Sequence, residues 1–210
     1  HREYHFSSFF LSHTQRLKIF ITSGIEHILD GYDHLLFILM LLIPSFIFLH
    51  DNNSTIGTKH AALSLLKIIS TFSIAHSLTL FISGAKLWVP NSTFIEIFIA
   101  ISILIVGIMN FIGKYQHVNK KIVFLFGLLH GFGFANVLTI AKVKETLSFV
   151  LSLLGFNIGV EIGQIFVIII FMPLFYIIFR SNYSIKIVKG ISFITILIAI
   201  YWIIKRSALV

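Results

Sequence analysis

The chain has 210 residues, of which 57% are hydrophobic and only 11% are charged, and its formal net charge is +8. Soluble domains average about 25% charged residues, so this composition excludes a water-soluble globular protein. Cysteine is absent, which excludes disulfides and thiolate metal ligands.

The distribution of charge indicates a membrane protein and not a nucleic-acid binder. Lysine and arginine concentrate between apolar segments, as at Lys114, Lys120 and Lys121, where they would meet lipid headgroups. A transmembrane helix needs about 20 mostly apolar residues. We therefore predict an all-α, polytopic transmembrane bundle of about six spans over residues 17–206, with the lipid bilayer as its partner.

The N-terminal residues 1–16 are more polar than the rest. The chain starts at His1, and no charged start followed by an apolar run marks a signal peptide. We expect residues 1–16 to be an extramembrane remnant of a processed or truncated product.

The first predicted span, residues 17–49, combines a polar stretch with an apolar one. The apolar run, residues 35–49, is too short to cross a bilayer alone. The preceding stretch EHILDGYDH, residues 26–34, must therefore lie in or near the hydrocarbon.

This polar stretch contains two imidazoles and three carboxylates. On one continuous helix, His27 and His34 share a face with Asp30 between them, and Glu26 and Asp33 share the adjacent face. Such groups are costly in a bilayer unless they are paired, hydrated or metal-bound. The alternative is a hydrated helix end at headgroup level.

The other predicted spans, residues 61–83, 92–112, 121–141, 145–179 and 187–204, carry isolated polar groups. These are His76 in the second span, Glu96 in the third, His130 in the fourth, and Asn157, Glu161 and Gln164 in the fifth. The fifth span also carries Gly155, Gly159 and Gly163 at a spacing of four, which predicts close helix packing. Pro173 predicts a bend in the same span.

Depth arithmetic places these polar groups in one half of the membrane. At 1.5 Å per residue, His34 and His76 both lie about 22 Å from the same membrane face, with His130 and Glu161 near the centre. A single buried histidine is usually a hydrogen-bonded core group, but three histidine-bearing spans at similar depths favour a shared metal site. Imidazole and carboxylate ligands suit nickel, cobalt, zinc or iron(II).

We therefore predict a metal site built from histidines and an aspartate, with polar residues supporting it. The predicted ligands are His27, Asp33, His34, His76 and His130, and the predicted supporting or relay residues are Glu26, Asp30, Glu96, Asn157, Glu161 and Gln164.

The sequence resembles the HupE/UreJ family of membrane proteins. The resemblance lies in H-x5-D-H at His27, Asp33 and His34, in FSIAHSLTL and FGLLHGFGFA around His76 and His130, and in GFNIGVEIGQ at residues 155–164. It is closest to a second branch whose members often carry an extracytoplasmic N-terminal region. The resemblance implies a nickel or cobalt permease of the bacterial inner membrane, a secondary transporter and not an enzyme. Its extracytoplasmic N-terminal region fits termini outside, the orientation that the basic residues Lys114, Lys120 and Lys121 between the third and fourth spans favour.

Two alternatives stay open. One is a zinc-dependent intramembrane hydrolase similar to the alkaline ceramidases, in which Ser73, Asp33, His34, His76 and His130 would form the zinc site. The second close histidine pair that such enzymes carry on a late span is absent here. The other alternative is a metal-binding accessory or assembly protein for a partner enzyme.

Overall fold

The computed structural model describes residues 12–51, 58–114, 120–133, 146–181 and 183–208. Most of the predicted N-terminal remnant, residues 1–11, lies outside this part of the chain. Within the described residues the chain forms helices and no strand, which confirms the predicted all-α class. The helices, α1 to α7 in chain order, are His13–Asp30, Tyr32–Asp51, Thr58–Gly84, Ser92–Phe111, Lys120–Gly133, Thr146–Arg180 and Ser184–Ser207.

The lengths and compositions of these helices are those of a membrane protein. Within the described ranges, α3, α4, α6 and α7 are each long and apolar enough to cross a membrane, and α1 with the first part of α2 counts as a fifth span if the bent pair is one span. This total of four or five spans is close to the prediction of about six spans. Helix α5 corresponds to the predicted fourth span, whose second part lies beyond the described residues. Helix α6 continues through Pro173 as one helix.

The first predicted span is broken, so the prediction of one continuous helix over residues 26–34 is wrong. Helix α1 ends at Asp30, and α2 starts at Tyr32 with a change of direction of 71°. Gly31 joins them, and a Cβ atom at this position would lie 2.6 Å from the backbone oxygen of His27 and 2.9 Å from Nδ1 of His34. Glycine is therefore needed at the break.

Helices α1 and α6 pack closely and run parallel along the predicted glycine stripe. A side chain at Gly155 would meet the backbone of Leu17, and one at Gly159 would meet the backbone oxygen of Ile21 and the Cα of Gly24. Backbones approach this closely only where neither helix carries a bulky side chain. The packing predicted from the stripe is confirmed.

A second pair of glycines, which the sequence analysis did not single out, joins α5 to α3. A side chain at Gly127 would meet the backbone oxygen of Phe72, and one at Gly131 would meet the backbone oxygen of His76. His130 lies between these two glycines in the sequence, so the close approach of the helices places it beside His76.

A buried asparagine replaces a hydrogen bond that a proline removes from α2. Pro44 has no N–H, so it leaves the carbonyl of Met40, four residues earlier, without its helical donor. The side-chain amide of Asn110 on α4 donates to this carbonyl at 2.8 Å, and both residues are fully buried. The bond therefore ties α4 to α2 where α2 would otherwise bury an unpaired carbonyl.

Candidate metal centre

Four histidines from four helices bring their rings together inside the bundle. His34 on α2 is central: its ring centroid lies 4.5 Å from that of His27 on α1, 6.2 Å from that of His76 on α3, and 4.9 Å from that of His130 on α5. The centroids of His27 and His76 are 5.9 Å apart. We call these four rings the imidazole cluster. Their convergence on one place is as the depth argument predicted.

Three rings of the cluster are buried and have ring nitrogens that make no hydrogen bond within the described part of the chain. His76 and His130 have no exposed surface, and His34 is 5% exposed. Nε2 of His34 and both ring nitrogens of His76 and His130 are buried without a hydrogen-bond partner among the described residues. Nearly all buried polar atoms in proteins have such a partner, and each exception calls for a reason. Neutral imidazole is the commonest metal ligand in proteins, so metal binding would be a reason.

Phenylalanine rings pack against two histidines of the cluster. His76 lies between Phe72 and Phe156, with both rings nearly parallel to its own. Phe37 packs edge-on against His130, with ring centroids 4.9 Å apart. This apolar lining keeps water away from the imidazoles and limits how the ring of His76 can turn.

Asp33 lies beside the cluster and orients one of its rings. Its Oδ1 accepts from the ring Nδ1–H of His34 at 3.1 Å and from the backbone N–H of the same residue at 3.0 Å. With Nδ1 carrying the proton, Nε2 is the nitrogen left with a lone pair for a metal. Metal-ligating histidines usually have such a partner on the second nitrogen. The geometry therefore favours an orienting role for Asp33 over direct ligation.

The predicted supporting residues on α1 and α4 lie outside the cluster, towards the surface. Asp30 is exposed and Glu26 is half-buried on α1. Glu96 lies in the second turn of α4, with its side chain 48% exposed. The break at Gly31 explains why Asp30 does not lie between His27 and His34, because it turns α1 and α2 in different directions.

The predicted residues on α6 contact other groups. Gln164 is buried and accepts from the hydroxyl of Ser73 at 2.9 Å. Glu161 is exposed on the outer surface, and its carboxylate lies 3.5 Å from the hydroxyl of Ser70. Asn157 is half-buried, and its Oδ1 has no hydrogen-bond partner in the described part of the chain. The structure therefore gathers the histidines but leaves Glu161 facing outwards.

Arg206 is a residue at the edge of the cluster that the sequence does not predict. This residue in the last turn of α7 places Nη2 3.5 Å from Oδ2 of Asp33 and Nε 3.5 Å from Oε2 of Glu96. Its position at the end of an apolar span resembles that of any interfacial cation, so the sequence around it carries no sign of this contact.

The spacing of the rings fits a metal site better than their orientation does. Ligand nitrogens about 2 Å from a tetrahedral metal place imidazole centroids roughly 5 Å apart, close to the 4.5–6.2 Å from His34. However, as the side chains stand, no three histidine, aspartate or glutamate side chains among the described residues form a group that could hold a metal. Binding would require the rings to turn without a large shift of the helices.

Comparison with known proteins gives one family. A family model described as HupE / UreJ protein matches residues 5–206. No curated protein and no solved structure shows a significant match to the chain. The matched residues include all four histidines of the imidazole cluster and Asp33.

Proposed function

Because the chain belongs to the HupE/UreJ family, we propose that it binds nickel or cobalt ions within the membrane and carries them across it. The family is regarded as nickel or cobalt permeases, and this proposal treats the metal as cargo. The imidazole cluster is the observation that supports it most. It offers several buried nitrogen atoms that have no hydrogen-bond partner among the described residues, at ring distances that suit one ion.

The chemistry of the cluster matches the proposed ions. Imidazole nitrogen binds nickel, cobalt and zinc, and geometry and availability select among them. A transport site must also release its ion when the protein changes conformation. Imidazoles that must turn to bind an ion can turn back to release it, whereas a preformed rigid site would hold the ion as a structural metal.

Metal uptake into proteoliposomes tests the proposal. Purified protein should bind Ni²⁺ or Co²⁺ in near-stoichiometric amounts, and vesicles containing it should take up labelled ion faster than empty ones. His34→Ala should abolish both, because it removes the ring at the centre of the cluster. His13→Ala is the matched control, since His13 is an exposed histidine at the start of α1.

The outcomes separate transport from the two alternative functions considered for this site. Uptake with the parent and with His13→Ala, but not with His34→Ala, supports transport. Tight binding without uptake would instead favour an accessory protein or a zinc-dependent hydrolase. A His34→Ala variant that binds and transports like the parent would contradict the proposal.

We also propose that Glu161 acts in passage of the ion and not in its equilibrium binding. A carboxylate inside a bilayer is costly, yet this one faces outwards beside Ser70 on α3. Glu161→Gln should therefore change metal affinity less than about threefold, because the cluster is intact, while uptake falls. Equal uptake by Glu161→Gln and parent vesicles would remove Glu161 from the mechanism.

A further inference from the structure

Arg206 joins the last helix to two others at the edge of the imidazole cluster. Its Nη1 donates to the backbone oxygen of Glu96 at 2.7 Å, and Nε and Nη2 face the carboxylates of Glu96 and Asp33. The guanidinium also lies over the ring of Trp202, 5.3 Å from its centre. Four groups therefore hold one planar side chain, which is only 17% exposed.

The carboxylate of Asp33 is shared between Arg206 and His34. Oδ2 faces the guanidinium at 3.5 Å, and Oδ1 accepts the two N–H groups of His34. With Oδ2 anchored, the carboxylate cannot rotate freely about its last side-chain bond. Oδ1 then stays beside Nδ1 of His34, and Nε2 of the same ring stays directed into the cluster.

We propose that Arg206 is a positioning residue for the imidazole cluster. It anchors Asp33, so that Asp33 holds His34 in the tautomer with the proton on Nδ1 and keeps the lone pair of Nε2 available to a metal. As a contribution to metal binding, this role rests on the proposed function. Its effect on the His34 tautomer does not, because the tautomer can be measured in the metal-free protein.

A purely structural role for Arg206 is the competing explanation. In that case its bonds to Glu96 would only fasten α7 to α4, and its loss would lower the stability of the protein without changing the state of His34. The two explanations therefore differ in which ring nitrogen of His34 carries the proton, and this tautomer can be measured directly.

The test compares Arg206→Gln with Lys205→Gln. Both variants remove one positive charge from the last turn of α7, but Lys205 is exposed and lies near Tyr201, not near Asp33. The ¹⁵N spectra of histidine-labelled, metal-free protein should show the parent and Lys205→Gln with His34 protonated on Nδ1. The His34 signals are assigned by their loss in His34→Ala. Arg206→Gln should shift His34 towards a mixture of the two tautomers.

Metal binding provides the second measurement, with Co²⁺ as the probe. We expect Arg206→Gln to weaken Co²⁺ binding by about 10- to 100-fold, the range typical of partners that orient a ligand, and to change the visible absorption of the bound ion. Lys205→Gln should match the parent in both. If Arg206→Gln does not fold, Arg206→Lys replaces it, because lysine keeps the charge but cannot contact Asp33 and Glu96 together. Arg206→Lys should show the same changes to a smaller degree.

The proposed function and the positioning role of Arg206 can be contradicted independently. A parent protein that binds no Co²⁺ or Ni²⁺ contradicts the proposed function, while the spectra still decide the role of Arg206. An unchanged His34 tautomer in Arg206→Gln, or in Arg206→Lys if only that variant folds, overturns the positioning role.

Discussion

At the scale of single residues, the helix break at Gly31 determines where the side chains of residues 26–34 lie. A continuous helix would set His27 and His34 two turns apart, whereas the break brings their ring centroids to 4.5 Å. The break needs glycine because a Cβ atom would approach the backbone oxygen of His27 at 2.6 Å. Of the five ionisable groups in this stretch, both imidazoles join the cluster, Asp33 lies beside it, and Glu26 and Asp30 lie towards the surface.

We expect Gly31→Ala to weaken metal binding by at least about tenfold, since two cluster rings would be displaced, a change of about 1.4 kcal/mol. It should also lower thermal stability. Gly190→Ala is the control, because nothing lies within 4 Å of a Cβ atom at this position on α7. Alanine is better than glycine inside a helix by about 0.5–1 kcal/mol, so the control should be neutral or stabilising. Titration calorimetry with Ni²⁺ and thermal unfolding measure both effects, and parent-like affinity in Gly31→Ala would contradict this account of the break.

At the scale of helices, small residues and one buried amide set which helices touch. The stripe at Gly155, Gly159 and Gly163 holds α6 against α1, and Gly127 and Gly131 hold α5 against α3. Between α2 and α4 the contact is polar, because Pro44 frees the carbonyl of Met40 and Asn110 binds it. Each of these contacts involves at least one helix that carries a histidine of the cluster.

The proline and the asparagine should be energetically coupled. Asn110→Leu should lower the free energy of unfolding by about 1–3 kcal/mol, because the buried carbonyl of Met40 loses its donor. In a Pro44→Ala background the same change should cost less, since the N–H of residue 44 can then donate to Met40 as in an ordinary helix. Unfolding of the four proteins of this double-mutant cycle in mild detergent measures the coupling. Equal costs in both backgrounds would show that Asn110 does not compensate for the proline.

At the scale of the whole molecule, the polar groups gather towards one end of the bundle. Glu96 near the start of α4 and Arg206 in the last turn of α7 meet there, next to Asp33 and the imidazole cluster. In the opposite direction Phe37 and Phe72 line an apolar pocket between α2, α3 and α6, with Gln164 also in its wall. If ions pass through the cluster as proposed, an ion leaving in that direction would have to displace these two rings, so the two directions of passage would be unequal.

We expect this polar end to face the outside. Lys114, Lys120 and Lys121 form the tightest basic group near span ends, and such groups favour the cytoplasmic side. Because the chain has no cysteine, single cysteines can report orientation. Ala208→Cys should react with a membrane-impermeant maleimide in intact cells, while Lys114→Cys, exposed beyond the other end of α4, should react only after permeabilisation. The reverse labelling pattern would show that the polar end faces the cytoplasm.

Much of the fold and of the candidate site could be predicted from the sequence. The low charge predicted the helical membrane class, since apolar segments of this length have few other stable forms in lipid. Helical rise alone placed His34, His76 and His130 at compatible depths, and the spacing of Gly155, Gly159 and Gly163 predicted a close helix contact. These properties depend on residues near one another in the chain, where helix geometry converts sequence separation into distance.

Only the tertiary structure decided which polar groups meet. By periodicity residues 26–34 fit one helix, but the structure breaks the helix at Gly31 with a change of direction of 71°. Arg206 reaches Asp33 and Glu96 from helices far apart in the sequence, and Glu161 faces outwards although its depth matches that of His130. Depth along a span follows from counting residues, but rotation about the helix axis and the choice of neighbouring helix depend on packing between distant segments.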